Sequence, residues 1–233
     1  MRAGLRLGSP TVHRGGPQRG PDVHPGPPGG QPAPGPRLLR AIAGAARVGP
    51  IPTAPPRRLD RSPRGGLFRR EWFEGQSIDR RELPDDLELC RYWDLAATEP
   101  AAGSDPDHTA GVLLGRSDQG LWYVCDVRRT RSTPLEVERL VAATAERDAA
   151  WCRESGRSVP AIRMEQEPGS AGVAVIDHYR QQVLAPYDFG GVRSTGSKET
   201  RARPVAARCE GGDVRLCRGT WNTEFLDELT AFP

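Results

Sequence analysis

Two acidic residues interrupt apolar segments that otherwise have the character of buried strands. Asp94 lies within residues 91–97 (RYWDLAA), and Glu165 directly follows residues 161–164 (AIRM). A buried carboxylate without a partner costs free energy, so each position is expected to have a compensating group. A divalent cation such as Mg²⁺ or Mn²⁺ could supply it, because these ions bind hard carboxylate oxygens. Hydrolysis of a phosphodiester by two metal ions requires a carboxylate cluster of this kind.

Other interpretations of these two segments stay open at the level of sequence. Asp94 could instead end its strand by accepting hydrogen bonds from backbone amides. Glu167 competes with Glu165 as the second ligand, and its direction depends on whether strand geometry continues as far as Pro168. We favour Glu165, because it ends the apolar run directly.

A third acid, Asp107, lies just before the next apolar run, in the segment GSDPDHTAG. It could approach the same cluster from the side of a hairpin, or it could be a turn residue, and the sequence supports both interpretations equally. His108 follows it. A single histidine with no metal-ligand spacing is interpreted as a surface or packing residue.

Basic residues follow a glycine-rich segment near the C-terminal end of the chain. Residues 191–198 (GVRSTGSK) resemble a phosphate loop, but the lysine is out of register with the second glycine, so ATP binding is not expected. Lys198, Arg201 and Arg203 could instead contact a DNA backbone beside the metal site. The alternative is a solvated start of a helix.

The elements that must position these residues follow from apolar periodicity and turn signals. Residues 87–97, 108–115 and 121–128 are predicted to be strands, and the turn at 118–120 (DQG) makes the last two an antiparallel hairpin. The predicted elements after this hairpin alternate as follows: helix 133–151, strand 161–164, helix 169–184, strand 190–194, helix 199–210, strand 214–217 and helix 223–232. This order predicts an α/β fold with a mixed sheet, three antiparallel strands followed by parallel ones, flanked by helices.

The N-terminal segment has a different composition. Residues 1–66 contain 14 of the 23 prolines, and residues 1–70 carry a net charge of +11 against −8 for the remainder. Such a segment cannot bury enough apolar surface to offset its ordering entropy, so residues 1–64 are predicted to be a disordered arm. The folded domain is predicted to comprise residues 65–233.

The cysteines and the apolar segments bear on location. The five cysteines form no CxxC pair, which is typical of a reducing compartment. The only apolar stretch near the N-terminus, residues 38–51, is too short and too rich in arginine to span a bilayer. We therefore expect an intracellular protein without a membrane partner.

Several motifs, in order and spacing, resemble the large subunit of tailed-phage terminases. The resemblance covers about residues 66–233. It rests on these segments: FRREWF (68–73), YWDLAA (92–97), DHTA (107–110), YVCDVR (123–128), EQEPGSAG (165–172), SKETRAR (197–203) and WNTEFLDELTAFP (221–233).

The resemblance implies a ribonuclease H-like nuclease domain that cuts concatemeric viral DNA during genome packaging. Asp94 and Glu165 would be catalytic metal ligands, with Asp107 as an auxiliary acid. The implied cofactor is Mg²⁺ or Mn²⁺, and the implied partners are double-stranded DNA, the terminase small subunit and the portal protein. The implied location is the cytoplasm of a bacterial host.

Two departures from the family pattern limit this expectation. The sequence shows no ATPase motif, and the family's third catalytic acid follows a Phe-Pro pair that here ends the sequence at Pro233. Asp227 and Glu228 are interpreted as solvent-facing helix residues. The alternative hypothesis is therefore an inactive remnant that at most binds DNA or a packaging partner.

Overall fold

The computed structural model describes residues 66–96, 108–193 and 196–232. The predicted arm, residues 1–64, lies outside the described residues. These described residues contain seven strands: β1 (Ser77–Ile78), β2 (Glu88–Asp94), β3 (Thr109–Arg116), β4 (Trp122–Thr130), β5 (Ala161–Gln166), β6 (Phe189–Arg193) and β7 (Val214–Cys217). The α-helices are α1 (Pro134–Glu154), α2 (Ser170–His178), α3 (Lys198–Glu210) and α4 (Asn222–Thr230). Short 3₁₀ helices span Arg70–Phe73 and Arg80–Glu82, and one π-helical turn spans Tyr179–Val183.

The described strands form one mixed sheet in the order β1-β7-β4-β3-β2-β5-β6. Strands β2, β3 and β4 are antiparallel neighbours, whereas β5, β6, β7 and β1 join by parallel pairing. The predicted mixed sheet is therefore confirmed. The parallel pairing of β2 with β5 brings the carboxyl ends of both strands to the same edge of the sheet.

Local sequence signals explain the two connections that follow β3. At the β3–β4 turn, Gly120 adopts a φ of 82° and its amide donates to the Ser117 carbonyl over 2.9 Å. Helix α1 begins with a capping box between Thr133 and Glu136, in which the Thr133 amide donates to Glu136 over 3.0 Å. These bonds satisfy backbone groups that a strand end and a helix start leave open.

Helices cover both faces of the sheet. On one face, α3 and α4 pack on alternate residues of the central strands, among them Tyr92, Ala110 and Val112. On the other face, α1, α2 and the π-helical turn pack on Trp93 and the apolar residues of β5. Successive side chains of a strand point to opposite faces, so each central strand is apolar on both sides and is enclosed between the two helical layers.

Two local predictions were wrong. The polar composition of residues 75–86 predicts a turn region, yet Ser77 and Ile78 within it pair with Leu216 and Cys217 of β7. A two-residue edge strand is too short to show an alternating pattern. Helical periodicity predicts Leu135 on the buried side of α1 with Val137 and Val141, but Leu135 is 55% exposed and lies in the first turn of the helix. The helix predicted over residues 169–184 is present, with π geometry from Tyr179 to Val183.

No helix in the described part of the chain is long and apolar enough to cross a membrane.

Candidate functional site

Asp94 is the last residue of β2 and is only 3% exposed. Its neighbours in the strand explain the burial. Trp93 packs into the face covered by α1 and α2, and Tyr92 packs into the opposite face, covered by α3 and α4. Strand alternation therefore places the Asp94 carboxylate on the α3–α4 face, at the edge of the sheet where β2 ends.

Glu165 lies at the corresponding position of the neighbouring strand. In the register of β2 and β5, Trp93 pairs with Met164, so Asp94 and Glu165 are the next residues in each strand. Glu165 itself pairs with Val192 of β6, so strand geometry continues through it. Its side chain is 8% exposed, and among the described residues its Oε2 has no hydrogen-bond partner. A nearly buried carboxylate oxygen without a donor is suited to a cation.

Strand alternation places both carboxylates on the face of the sheet that Tyr92 occupies, because Tyr92 lies two residues before Asp94 and Met164, next to Glu165, packs on the opposite face. Burial raises the pKa of the Tyr92 hydroxyl, and the charges of Glu165 and Asp94 raise it further, while Arg201 opposes them. The two acids therefore act electrostatically on one group between α3 and the sheet. Asp94 and Glu165 thus make the site acidic where the packed layer between α3 and the sheet ends, and a cationic side chain lies close to them.

That cation is Arg201 of α3. Its Nη1 lies 3.4 Å from Glu165 Oε1, and its side chain is 10% exposed. Its Nε has no hydrogen-bond partner in the described part of the chain. A guanidinium pairs best with a carboxylate through two parallel hydrogen bonds, so this single long contact compensates Glu165 only in part. The structure thus places Arg201 against a predicted metal ligand rather than on the open surface.

Glu167, the competing candidate, lies beyond the end of β5 and is exposed. The loop that carries it is closely packed against α2. A Cβ atom on Gly172 would lie 2.0 Å from the Glu167 carbonyl oxygen, so only glycine allows this approach. Position and burial both favour Glu165 over Glu167 as a ligand beside Asp94.

Asp107 lies outside the described residues, so its relation to the two acids stays a prediction. The residues that follow it lie at the same edge: Thr109 begins β3, and its Oγ1 accepts a hydrogen bond from the Ala96 amide over 3.0 Å. Within residues 66–96, 108–193 and 196–232, no three His, Cys, Asp or Glu side chains form a set that could hold a metal ion. In the described structure, Asp94 and Glu165 therefore belong to no cluster of three or more such side chains.

Lys198 and Arg203 lie on α3, the helix that carries Arg201. Lys198 is its first residue, after the N-cap Ser197, whose hydroxyl accepts from the Thr200 amide over 3.2 Å. Arg203 is exposed. Both therefore belong to the helix that flanks the edge of the sheet beside Glu165.

Glu228 differs from the sequence-based expectation. Asp227 is solvent-facing, with 63% of its side chain exposed, but the Glu228 side chain is only 16% exposed and lies 3.4 Å from Arg129. Helix periodicity could not show this, because the partner comes from β4, far away in the sequence. Arg129 was not singled out from the sequence for the same reason.

The family model described as "Terminase RNaseH-like domain" matches residues 91–233. No curated protein matches the chain. The solved structures that resemble it include the following three. The P22 large terminase nuclease domain is 11% identical, with 69% of this chain and 77% of that chain covered and a TM-score of 0.45. The human cytomegalovirus terminase nuclease domain, soaked with manganese and inhibitor-bound, is 13% identical, with 65% and 75% covered and a TM-score of 0.47. The zinc-bound large terminase nuclease of thermophilic phage G20c is 16% identical, with 64% and 73% covered and a TM-score of 0.43.

Proposed function

Because this chain belongs to the terminase ribonuclease H-like domain family, we propose that it is a metal-dependent endonuclease domain that cuts double-stranded DNA during phage genome packaging. The observation that carries the proposal is the placement of Asp94 and Glu165 at the carboxyl ends of two adjacent parallel strands. Both acids are nearly buried, and they face the same side of the sheet.

The donor set fits Mg²⁺ or Mn²⁺. Both side chains offer carboxylate oxygens, and Glu165 Oε2 is buried without a donor among the described residues. Mg²⁺ is commonly held by one or two carboxylates, with water and substrate phosphate completing its shell. When bound, such ions activate water and stabilise the leaving oxygen of a phosphodiester.

The chain's own residues would orient the substrate and limit the access of water. Asp94 is fixed by its place in the strand, and Glu165 is held by β6 and Arg201. Lys198 and Arg203 are proposed to hold a DNA backbone beside the two acids, and Asp107 is proposed as an auxiliary acid. On the basis of family membership, we propose the small terminase subunit and the portal protein as partners. We propose the cytoplasm of the host as the location.

The first test compares three carboxylates at the ends of β2 and β5. We expect Asp94→Asn and Glu165→Gln to weaken Mn²⁺ binding strongly in calorimetry and to abolish Mn²⁺-dependent nicking of a supercoiled plasmid. Loss of electrostatic stabilisation in such a site typically costs about two to three orders of magnitude in rate. Glu167→Gln is the matched control, because it removes an exposed carboxylate two residues from Glu165 and should leave both measurements nearly unchanged.

The same assay separates the proposal from its alternative. With two carboxylates in the described structure, we expect the parent chain to nick DNA slowly, and Asp107→Asn to have a smaller effect on Mn²⁺ binding than Asp94→Asn. A parent chain that neither binds Mn²⁺ nor cuts DNA, but still binds a duplex, would identify an inactive DNA-binding remnant. A larger loss from Glu167→Gln than from Glu165→Gln would refute the ligand assignment.

A further inference from the structure

Two arginines converge on one histidine at the end of the β3–β4 hairpin. The His108 Nδ1 lies 3.1 Å from Arg129 Nη2 and 3.2 Å from Arg131 Nε. A guanidinium can only donate hydrogen bonds, so Nδ1 accepts from both, and the two positive charges are held side by side. Two like charges this close repel each other to the extent that nearby carboxylates do not compensate them, and a bound anion would add compensation. We call His108, Arg129 and Arg131 the arginine–histidine cluster.

The register of the sheet places this cluster on the same row as the two acids. Asp94 pairs with Ala110 of β3, and Ala110 pairs with Arg129 of β4. Directly paired residues point to the same face, so Arg129 and Asp94 share the α3–α4 face. Two strand spacings separate their Cα atoms by about 10 Å. In this row only the small side chain of Ala110 stands between the two positions.

Glu228 of α4 is an acid that faces the cluster, through its 3.4 Å contact with Arg129. Arg129 and Glu228 both line a surface cleft of about 320 Å³, together with residues that include Arg128, Trp221 and a second acid, Glu224. Arg129 therefore faces both a carboxylate of the protein and a space that a ligand can enter. An anion in the cleft would compete with Glu228 for the same guanidinium.

We propose that the arginine–histidine cluster is a binding site for a backbone phosphate of the DNA substrate, with Glu228 as its internal competitor. This inference rests on the proposed function. Phosphates occur about every 3.4 Å of axis along each strand of a duplex, so a neighbouring phosphate can reach a site about 10 Å from the reacting one. Guanidinium groups are well suited to such a ligand, because they bind phosphate oxygens through two parallel hydrogen bonds. In the strand order β4-β3-β2-β5, the cluster lies on the opposite side of Asp94 from Glu165 and from Arg201, which contacts Glu165. Cations of the chain would therefore contact the duplex on both sides of Asp94.

The test measures binding of a fluorescein-labelled DNA duplex by anisotropy over a series of KCl concentrations, in EDTA so that no metal contributes. Removing one cation that binds a phosphate lowers the slope of log affinity against log salt by about 0.9. We expect Arg129→Gln and Arg131→Gln each to lower the slope by about that amount and to weaken binding roughly tenfold. Arg153→Gln is the control, because Arg153 is exposed on the last turn of α1, at the opposite edge of the sheet.

A second pair of variants tests the role of Glu228 as competitor. Here the expected change is a gain in affinity for the duplex and not a loss. Glu228→Gln removes the charge that faces Arg129 and should strengthen duplex binding by up to about fivefold. Asp227→Asn removes the same charge one residue earlier, on a side chain that pairs with Arg70 instead. It should change the affinity less. A gain in affinity cannot come from misfolding, so this comparison holds even if an arginine variant loses stability.

The outcomes distinguish this inference from the proposed function. Lower slopes for both arginine variants, together with tighter binding by Glu228→Gln, would support the phosphate site. A parent chain that binds the duplex while all cluster variants keep its slope and affinity would overturn the site and leave the nuclease proposal intact. A parent chain that does not bind the duplex at low salt would overturn both.

Discussion

At the scale of single residues, the site brings nearly buried negative and positive side chains together. Glu165 and Asp94 concentrate negative charge at the end of two strands, and Arg201 offsets it through one contact of 3.4 Å. Charges buried to this degree are costly when their compensation is incomplete. A bound divalent cation would supply the missing compensation, so the stability of the site should depend on both Arg201 and the metal.

Replacing Arg201 with glutamine should destabilise the metal-free protein by roughly 1–3 kcal/mol, because a nearly buried acceptor loses its charged donor. The loss should shrink in saturating Mn²⁺, because the ion compensates Glu165 in place of the arginine and should bind more tightly where no guanidinium competes for that carboxylate, and tighter binding to the folded state adds more stability. Urea unfolding with EDTA and with Mn²⁺ measures both values.

Arg203→Gln is the control for this experiment, because Arg203 is an exposed residue two positions further along α3. Its effect should stay within about 0.5 kcal/mol in both buffers. An Arg201→Gln loss of the same size with and without Mn²⁺ would contradict a shared role of arginine and metal in compensating Glu165.

At the scale of elements, a buried ion network joins β2, β4 and α1. Arg91, fully buried, donates to both carboxylate oxygens of Asp148 over 2.8 and 2.9 Å and to Asp126 over 2.8 Å. Arg128 donates to the same Asp126 over 3.0 Å. Burial alone would lower the pKa of Arg91, but Asp148 and Asp126 raise it above its ordinary value, so the guanidinium stays charged. The network fixes α1 on the strand that ends in Asp94.

Arg91→Met should lower the free energy of unfolding by about 3–5 kcal/mol, because it leaves two buried carboxylates without their shared cation. Urea denaturation measures the change. The comparison variant is Asp177→Asn, which breaks the exposed ion pair between Asp177 and Arg180. Exposed pairs contribute about 0–1 kcal/mol, so this variant should be nearly neutral. Equal losses from the two variants would show that the buried network has no special role.

Close packing between β2 and β3 gives a second test at this scale. A Cβ atom on Gly111 would lie 2.5 Å from the ring of Trp93, the residue before Asp94. Gly111→Ala should therefore cost about 1–3 kcal/mol through overpacking. Thermal unfolding would detect this as a lower Tm.

Gly115→Ala on the same strand is the matched control. The nearest atoms to its Cβ would be the ends of two leucine side chains, at 3.1 and 3.2 Å, followed by the Cys125 sulfur at 3.5 Å, an ordinary contact. These groups can move more easily than an indole ring, so the loss should be smaller. A Gly115→Ala protein that is less stable than Gly111→Ala would refute the proposed contact.

At the scale of the whole molecule, the sequence divides into a basic, proline-rich segment and an acidic domain. We propose that residues 1–64 are a disordered arm. Limited proteolysis should remove them rapidly and leave a resistant fragment that begins near Gly65, because the apolar clusters of the described residues begin at Leu67 and Phe68. Mass spectrometry of the fragments locates the boundary. A stable N-terminal fragment, or uniform degradation of the whole chain, would contradict it.

The sequence by itself determined the order of elements and the two acids worth testing. Periodicity predicted the three long strands, the helix after them and the alternation that follows, because each of these segments buries a continuous apolar face. Asp94 and Glu165 could be singled out because a carboxylate among buried residues conflicts with its neighbours. That conflict is visible within a few residues of sequence.

Only the tertiary structure decided which charges meet. The contact of Arg201 with Glu165, the sharing of Arg91 by Asp126 and Asp148, and the pairing of Glu228 with Arg129 all join residues far apart in the chain. The same is true of β1, which becomes a strand because β7 lies beside it. Local patterns show how a residue relates to its own helix or strand. They do not encode the sheet register, and that register places Glu165, Asp94 and Arg129 in one row.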